Sequence, residues 1–279
     1  MPVSKLKNLA ILILLLANLA LLAVLIPNRL ARAREADRLR ETLSELCAAE
    51  DVALSPNAVP NTVDLYALEL GEDEEADLAA ATALLGQEVV FQDASTRYLS
   101  RYTSAVGSCE ISRSGAFSAK LQDQAETGDL TGASRRLLRA MGFTVLELEG
   151  PQRIRAGVYT VTATQSVLDV PVFSGGLTLT FSNNCLTGVE GTFFTGAAQL
   201  KRISENSSIT AADAVVAFLA QRYTLGWVGS AITSITQGYV RSETAAAAAV
   251  HLTPVWLLET DTGVFQVNGI TREVSAQPS

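Results

Sequence analysis

Histidine is nearly missing from this chain: His251 is the only one in 279 residues. A Ser-His-Asp triad needs a histidine as its base, and a zinc site ordinarily draws on more than one. His251 falls in an apparent strand, Val250–Trp256, and reads as a surface or core histidine. Cysteine is scarce as well. Cys47, Cys109 and Cys185 are widely spaced, form no C-x-x-C pair, and as an odd set do not close into a disulfide framework. They read as buried thiols, with one disulfide plus a free thiol as the alternative.

Other signatures are missing too. There is no Walker loop and no G-x-G-x-x-G, so nucleotide binding lacks its phosphate cradle. Lys and Arg total 21 against 29 Asp and Glu, a net charge of −8 with no broad basic stripe. Such a balance repels phosphate backbones and argues against nucleic acid. Asp261-Thr262-Gly263 matches one half of an aspartic protease site, but the second triplet that would share the proton is absent from the chain. Between two apparent strands it reads as a hairpin turn.

Acidic residues do cluster, at Glu69, Glu72, Asp73, Glu74, Glu75 and Asp77. The alternating spacing of a calcium loop is not there, and carboxylates at a helix start are stabilised by the helix dipole. Asn206-Ser207-Ser208 matches a glycosylation sequon, and Gly175, Gly176 and Gly229 read as turn glycines. The residues thus assign no catalytic side chain, no metal ligand and no cofactor.

What the chain has in quantity is hydrophobicity, at 48% of residues. Much of it opens the sequence. Leu9–Ile26 contains no charge and, at about 1.5 Å per residue, is about 27 Å long as a helix. This predicts an uncleaved membrane anchor after a short cytoplasmic start, residues 1–8. Asn18, near its middle, is a candidate contact with a partner helix. Arg29, Arg32, Arg34, Arg38 and Arg40 follow the span while only Lys5 and Lys7 precede it, which by the positive-inside rule alone places the remainder in the cytoplasm. Residues 27–51 read as a juxtamembrane helical stalk with Leu30, Leu39, Leu43 and Leu46 near one face.

Beyond Pro56 and Pro60 a unit recurs: one helix, then antiparallel strands. The first helix covers Glu74–Leu85 and stops at Gly86. The second covers Asp129–Met141 and stops at Gly142. The third starts after Thr210, a good N-cap, and runs through Ala211–Tyr223. This predicts an α+β fold, with a small domain at 52–125 and a larger one at 126–279.

The order of segments carries a resemblance. It comprises Leu84-Leu85-Gly86, Tyr102–Gly107, Met141-Gly142-Phe143, Gln165–Phe173, Ile209–Ala214, Ile235–Val240, Leu252–Trp256 and Val267–Val274. This succession resembles the YycH/YycI family, accessory proteins of a WalK-type sensor histidine kinase, and its last segments resemble PepSY-type modules. The resemblance implies a single-pass cell-membrane protein with its globular part extracytoplasmic. It also implies regulation of a sensor kinase, alone or with a related accessory protein, through anchor and extracytoplasmic contacts, and it supplies no catalytic residue. A second reading is a PepSY-like inhibitor or chaperone of an exported peptidase or envelope enzyme.

Overall fold

The computed structural model describes residues 37–71, 73–94, 99–122, 124–198, 200–242 and 250–277. The anchor expected at Leu9–Ile26, with Asn18, lies outside them. Among the described residues no helix is long and apolar enough to cross a membrane. The expected fold class, an anchor helix and stalk leading into α+β units, is therefore corrected. What is described is mostly sheet, fifteen strands in one hydrogen-bonded network carrying a few helices.

The first described helix, α1 (residues 37–49), is amphipathic and packs on the sheet. Leu43 and Cys47 are buried while Leu39 and Leu46 face out. Ser44 donates from Oγ to Leu54 O at 3.0 Å, and Arg40 Nε donates to Val59 O at 3.0 Å. Short strands β1 (Ala53–Leu54) and β2 (Leu68–Leu70) follow.

Then comes a first helix-and-meander unit. Helix α2 (Glu74–Leu85) precedes β3 (Val90–Ala94), β4 (Leu99–Ser104), β5 (Gly107–Ser112) and β6 (Ala116–Leu121). A second has the same order: α3 (Leu130–Ala140), β7 (Val145–Arg155), β8 (Val158–Val167), β9 (Val170–Ser182) and β10 (Cys185–Thr192). Each meander runs antiparallel with strands in sequence order. The two join last strand to last strand, with β10 antiparallel to β6 from Gly188↔Lys120 to Thr192↔Ala116. In topology the halves are thus related by a pseudo-two-fold axis at that seam.

One core serves both units. Ala80, Ala81, Leu84 and Leu85 of α2 and Leu138 of α3 share a cluster with Tyr102, Cys109, Val161, Ala163 and Leu179. Phe193 knits it, its ring 5.8 Å from Phe117 and 5.3 Å from Phe143. The division expected near residue 125 is therefore spanned by backbone pairing and by shared core.

A third unit follows β11 (Leu200–Arg202): α4 (Ala211–Gln221), β12 (Ala231–Ser242), β13 (Val250–Thr260), β14 (Gly263–Asn268) and β15 (Val274–Ala276). Thr210 and Asp213 form a capping box at the start of α4. Phe218 of α4 meets Trp227 and Phe265, each with ring centroids 5.0 Å apart. Trp256 is fully buried beneath this helix and its indole N–H donates to Ile209 O at 3.0 Å. This sheet meets the first at one parallel pair, Tyr239↔Val172. A third apolar cluster, including Leu65, Val170, Phe194 and Leu252, fills the join.

Two buried glutamines bind the connecting segments to the strands. Gln165 of β8 is 1% exposed. Its Nε2 donates to Phe194 O at 2.9 Å, and its Oε1 accepts from Phe194 N at 3.0 Å. Gln237 of β12 does the same for Val63, at 2.8 and 2.9 Å, and also donates to the Ser208 hydroxyl at 3.1 Å. In each case a side-chain amide stands in for a strand neighbour, and no buried backbone group is left unpaired there.

Candidate functional site

The residues with chemical potential in the sequence are spent on structure. Asp73 caps α2 by accepting from Ala76 N at 3.0 Å. Glu74, Glu75 and Asp77 fill the first helical turn, where the dipole favours them. Asp77 accepts from the Thr195 hydroxyl at 2.5 Å, which ties α2 to the loop after β10. Asp73, Asp77 and Arg113 with their neighbours line a cleft of about 70 Å³. Small-molecule sites run to about 300–1,000 Å³, so this cleft suits a few waters rather than a substrate.

Glu69 departs from the acidic cluster. It lies on β2 directly opposite His251 of β13, with Oε2 at 3.3 Å from Nε2. Asp261 sits in the β13–β14 turn and accepts from both Ser230 N at 2.8 Å and Ser230 Oγ at 3.1 Å. Those bonds, the backbone one foremost, hold its carboxyl below the ordinary range. It serves as a clasp between β14 and the start of β12. His251 and Asp261 therefore lie in different contacts and form no dyad. Glu72 lies outside the described residues.

The thiols are equally occupied. Cys47 and Cys109 are completely buried, and Cys185 is half-buried; all three are free. Burial pushes the Cys109 thiol up to about 12, with Asp77 and Glu110 adding to the effect. Burial also raises Tyr102 to about 12, again helped by Asp77. Neither is a nucleophile near neutral pH. Among the described residues, no group of three or more His, Cys, Asp or Glu is arranged to hold a metal ion.

A different surface has the form of a binding site, and the sequence pattern did not single it out. It lies between α3 and β7. Helix α3 buries Leu130, Ser134 and Leu138 against the sheet and turns Arg135 and Arg139 outward, one helical turn apart. A double hydrogen bond ends the helix. Gly142 N donates to Arg139 O at 3.1 Å and Phe143 N to Leu138 O at 2.9 Å, with Gly142 at φ 79°. That left-handed residue reverses the chain so that β7 runs back beside the helix.

Strand β7 pairs with β8 alone among the described strands, leaving its other edge open. Leu148 stands opposite Ala163 of β8, which is in the core beneath α3. Glu147 and Glu149 stand opposite Thr164 and Thr162, on the other face. The α3 side of β7 is thus apolar. Arg135, Arg139, Thr144, Leu146 and Leu148 are among the walls of a groove of about 470 Å³ between α3 and β7. Only the run of arginines in Ser134-Arg135-Arg136-Leu137-Leu138-Arg139, unusual in an acidic chain, could have flagged it.

No family model matches the chain, so the resemblance to the YycH/YycI family gains no support from that comparison. The transmembrane and signal-anchor vocabulary is corrected, because among the described residues no helix is long and apolar enough to cross a membrane. No curated protein matches it either. Among solved structures it is similar to the Bacillus megaterium YpeB C-terminal domain, at 10% identity and a TM-score of 0.37, over 75% of this chain and 99% of that one. A likeness at that score transfers neither fold nor role.

Proposed function

We propose that the chain is a non-enzymatic binding module that docks on an exported peptidase or other envelope enzyme and modulates it as an inhibitor or chaperone. One observation carries the reading: the groove between α3 and β7, about 470 Å³, with Leu146 and Leu148 among its walls and the far edge of β7 open. Exposed sheet edges beside a helix recognise extended segments of other proteins, the backbone supplying affinity and the adjoining pockets selectivity. The acidic residues, by contrast, are engaged in caps and clasps. A role beside a sensor kinase would rest on anchor contacts at Asn18, outside the described residues, and draws no support from the fold.

The test is functional. Purified full-length protein is titrated into the secreted and surface enzyme fractions of the source cells while hydrolysis of a general protein substrate is followed. A saturable change in rate is expected, lost when the groove is altered by Arg135→Glu with Arg139→Glu. Rates indifferent to the protein, across peptidase and cell-wall hydrolase assays alike, would overturn the reading.

A further inference from the structure

We infer that the α3–β7 groove takes an extended, acidic segment of a partner protein, laid along β7 between Thr144 and Glu149. This rests on the binding-module reading and gives its partner a chemistry. Arg135 and Arg139 both line the groove and both are exposed. Among the described residues neither guanidinium group has an ion-pair or hydrogen-bond partner. In a chain of net charge −8, two unneutralised guanidinium groups one turn apart form a local reversal of sign. Guanidinium groups are forks that match carboxylates in pairs, so the complementary ligand is a segment bearing Asp or Glu.

The other long-edge features of β7 oppose pairing: its distal half carries Pro151, which lacks an N–H, and irregularities between Glu149 and Gln152 and between Arg153 and Arg155. A shift between Val145 and Glu147 leaves a short regular stretch, Glu147–Glu149, beside the helix. A strand added there gains only a few backbone hydrogen bonds, so the arginines and the Leu146 and Leu148 floor must supply most of the selectivity. The segment is therefore short, with carboxylates at alternate positions on the side that faces α3's arginines, their aliphatic stems over Leu146 and Leu148. Glu147 and Glu149 point to the opposite face and do not neutralise that rim.

The experiment uses the full-length chain and three labelled hexapeptides of alternating pattern: Glu-Val, Ser-Val and Lys-Val repeats, read by fluorescence anisotropy. The Glu-Val peptide is expected to bind most tightly and to weaken as salt rises. The pair Arg135→Glu and Arg139→Glu should weaken it on the order of tenfold or more and let the Lys-Val peptide bind instead. Arg136→Glu, one residue round the helix, should change little. Both arginines are exposed, and an unchanged melting temperature shows that the variant is folded. Equal binding of Ser-Val and Glu-Val peptides, or indifference to the charge reversal, overturns the acidic preference. If none binds while the enzyme fractions still respond to the protein, the groove is refuted and the binding-module reading survives.

Discussion

Gln165 shows how much one residue can hold at this molecule's joints. Its amide is buried and satisfies both backbone groups of Phe194, whose ring helps fill the join between the two sheets. Gln165→Leu keeps the volume but strands a buried N–H and a buried C=O. A loss of about 2–4 kcal/mol is expected in chemical denaturation. Ser134 is the converse case. It is fully buried on α3 and its hydroxyl has no hydrogen-bond partner. Ser134→Ala removes an unsatisfied group and adds helix propensity, so stability should rise by about 1 kcal/mol.

Cys109 and Tyr102 tie stability to alkaline pH. Burial raises Cys109 from 9.0 to about 12 and Tyr102 from 10.0 to about 12. The folded state therefore holds protons that the unfolded state has released between those values. Stability is complete below about pH 9 and falls as pH climbs toward 12. A denaturation series from pH 8 to 11 should show this decline, and Cys109→Val should make it shallower. An unchanged slope in that variant would locate the dependence elsewhere.

Among elements, ends were legible and pairings were not. Thr210 as a cap and Gly86 and Gly142 as stops stand where their chemistry requires, because capping depends on residues within one turn. The acidic run likewise reads directly as a helix start. The joining of β10 to β6 leaves no local trace, since a register between strands about seventy residues apart is set by packing. For the same reason the dominance of sheet and the open edge beside α3 were not visible, and without the edge the arginines of α3 read as ordinary surface charge. Gly142 is the element on which the groove turns. A side chain at φ 79° meets the left-handed penalty, so Gly142→Val should cost about 1–2 kcal/mol. It should also weaken peptide capture, because the exit angle of α3 sets the groove's width.

At the scale of the whole molecule, the two helix-and-meander units are halves of one core. The first unit alone would expose Phe117 and Ala119 along the edge that β10 covers. A fragment ending at residue 125 should therefore remain unfolded by circular dichroism, and a cooperative melt from it would show that the first unit is independent. The same arrangement explains the location of the working surface. The seam buries the last strand of each meander, and the first strand of the second one is left at the rim beside its own helix. That rim is the molecule's candidate for contact, and amide hydrogen exchange tests it most directly. Full-length protein is compared with and without saturating Glu-Val peptide. Slowed exchange confined to α3 and Val145–Glu149 is the predicted result; protection at some other edge, with β7 unchanged, would contradict it.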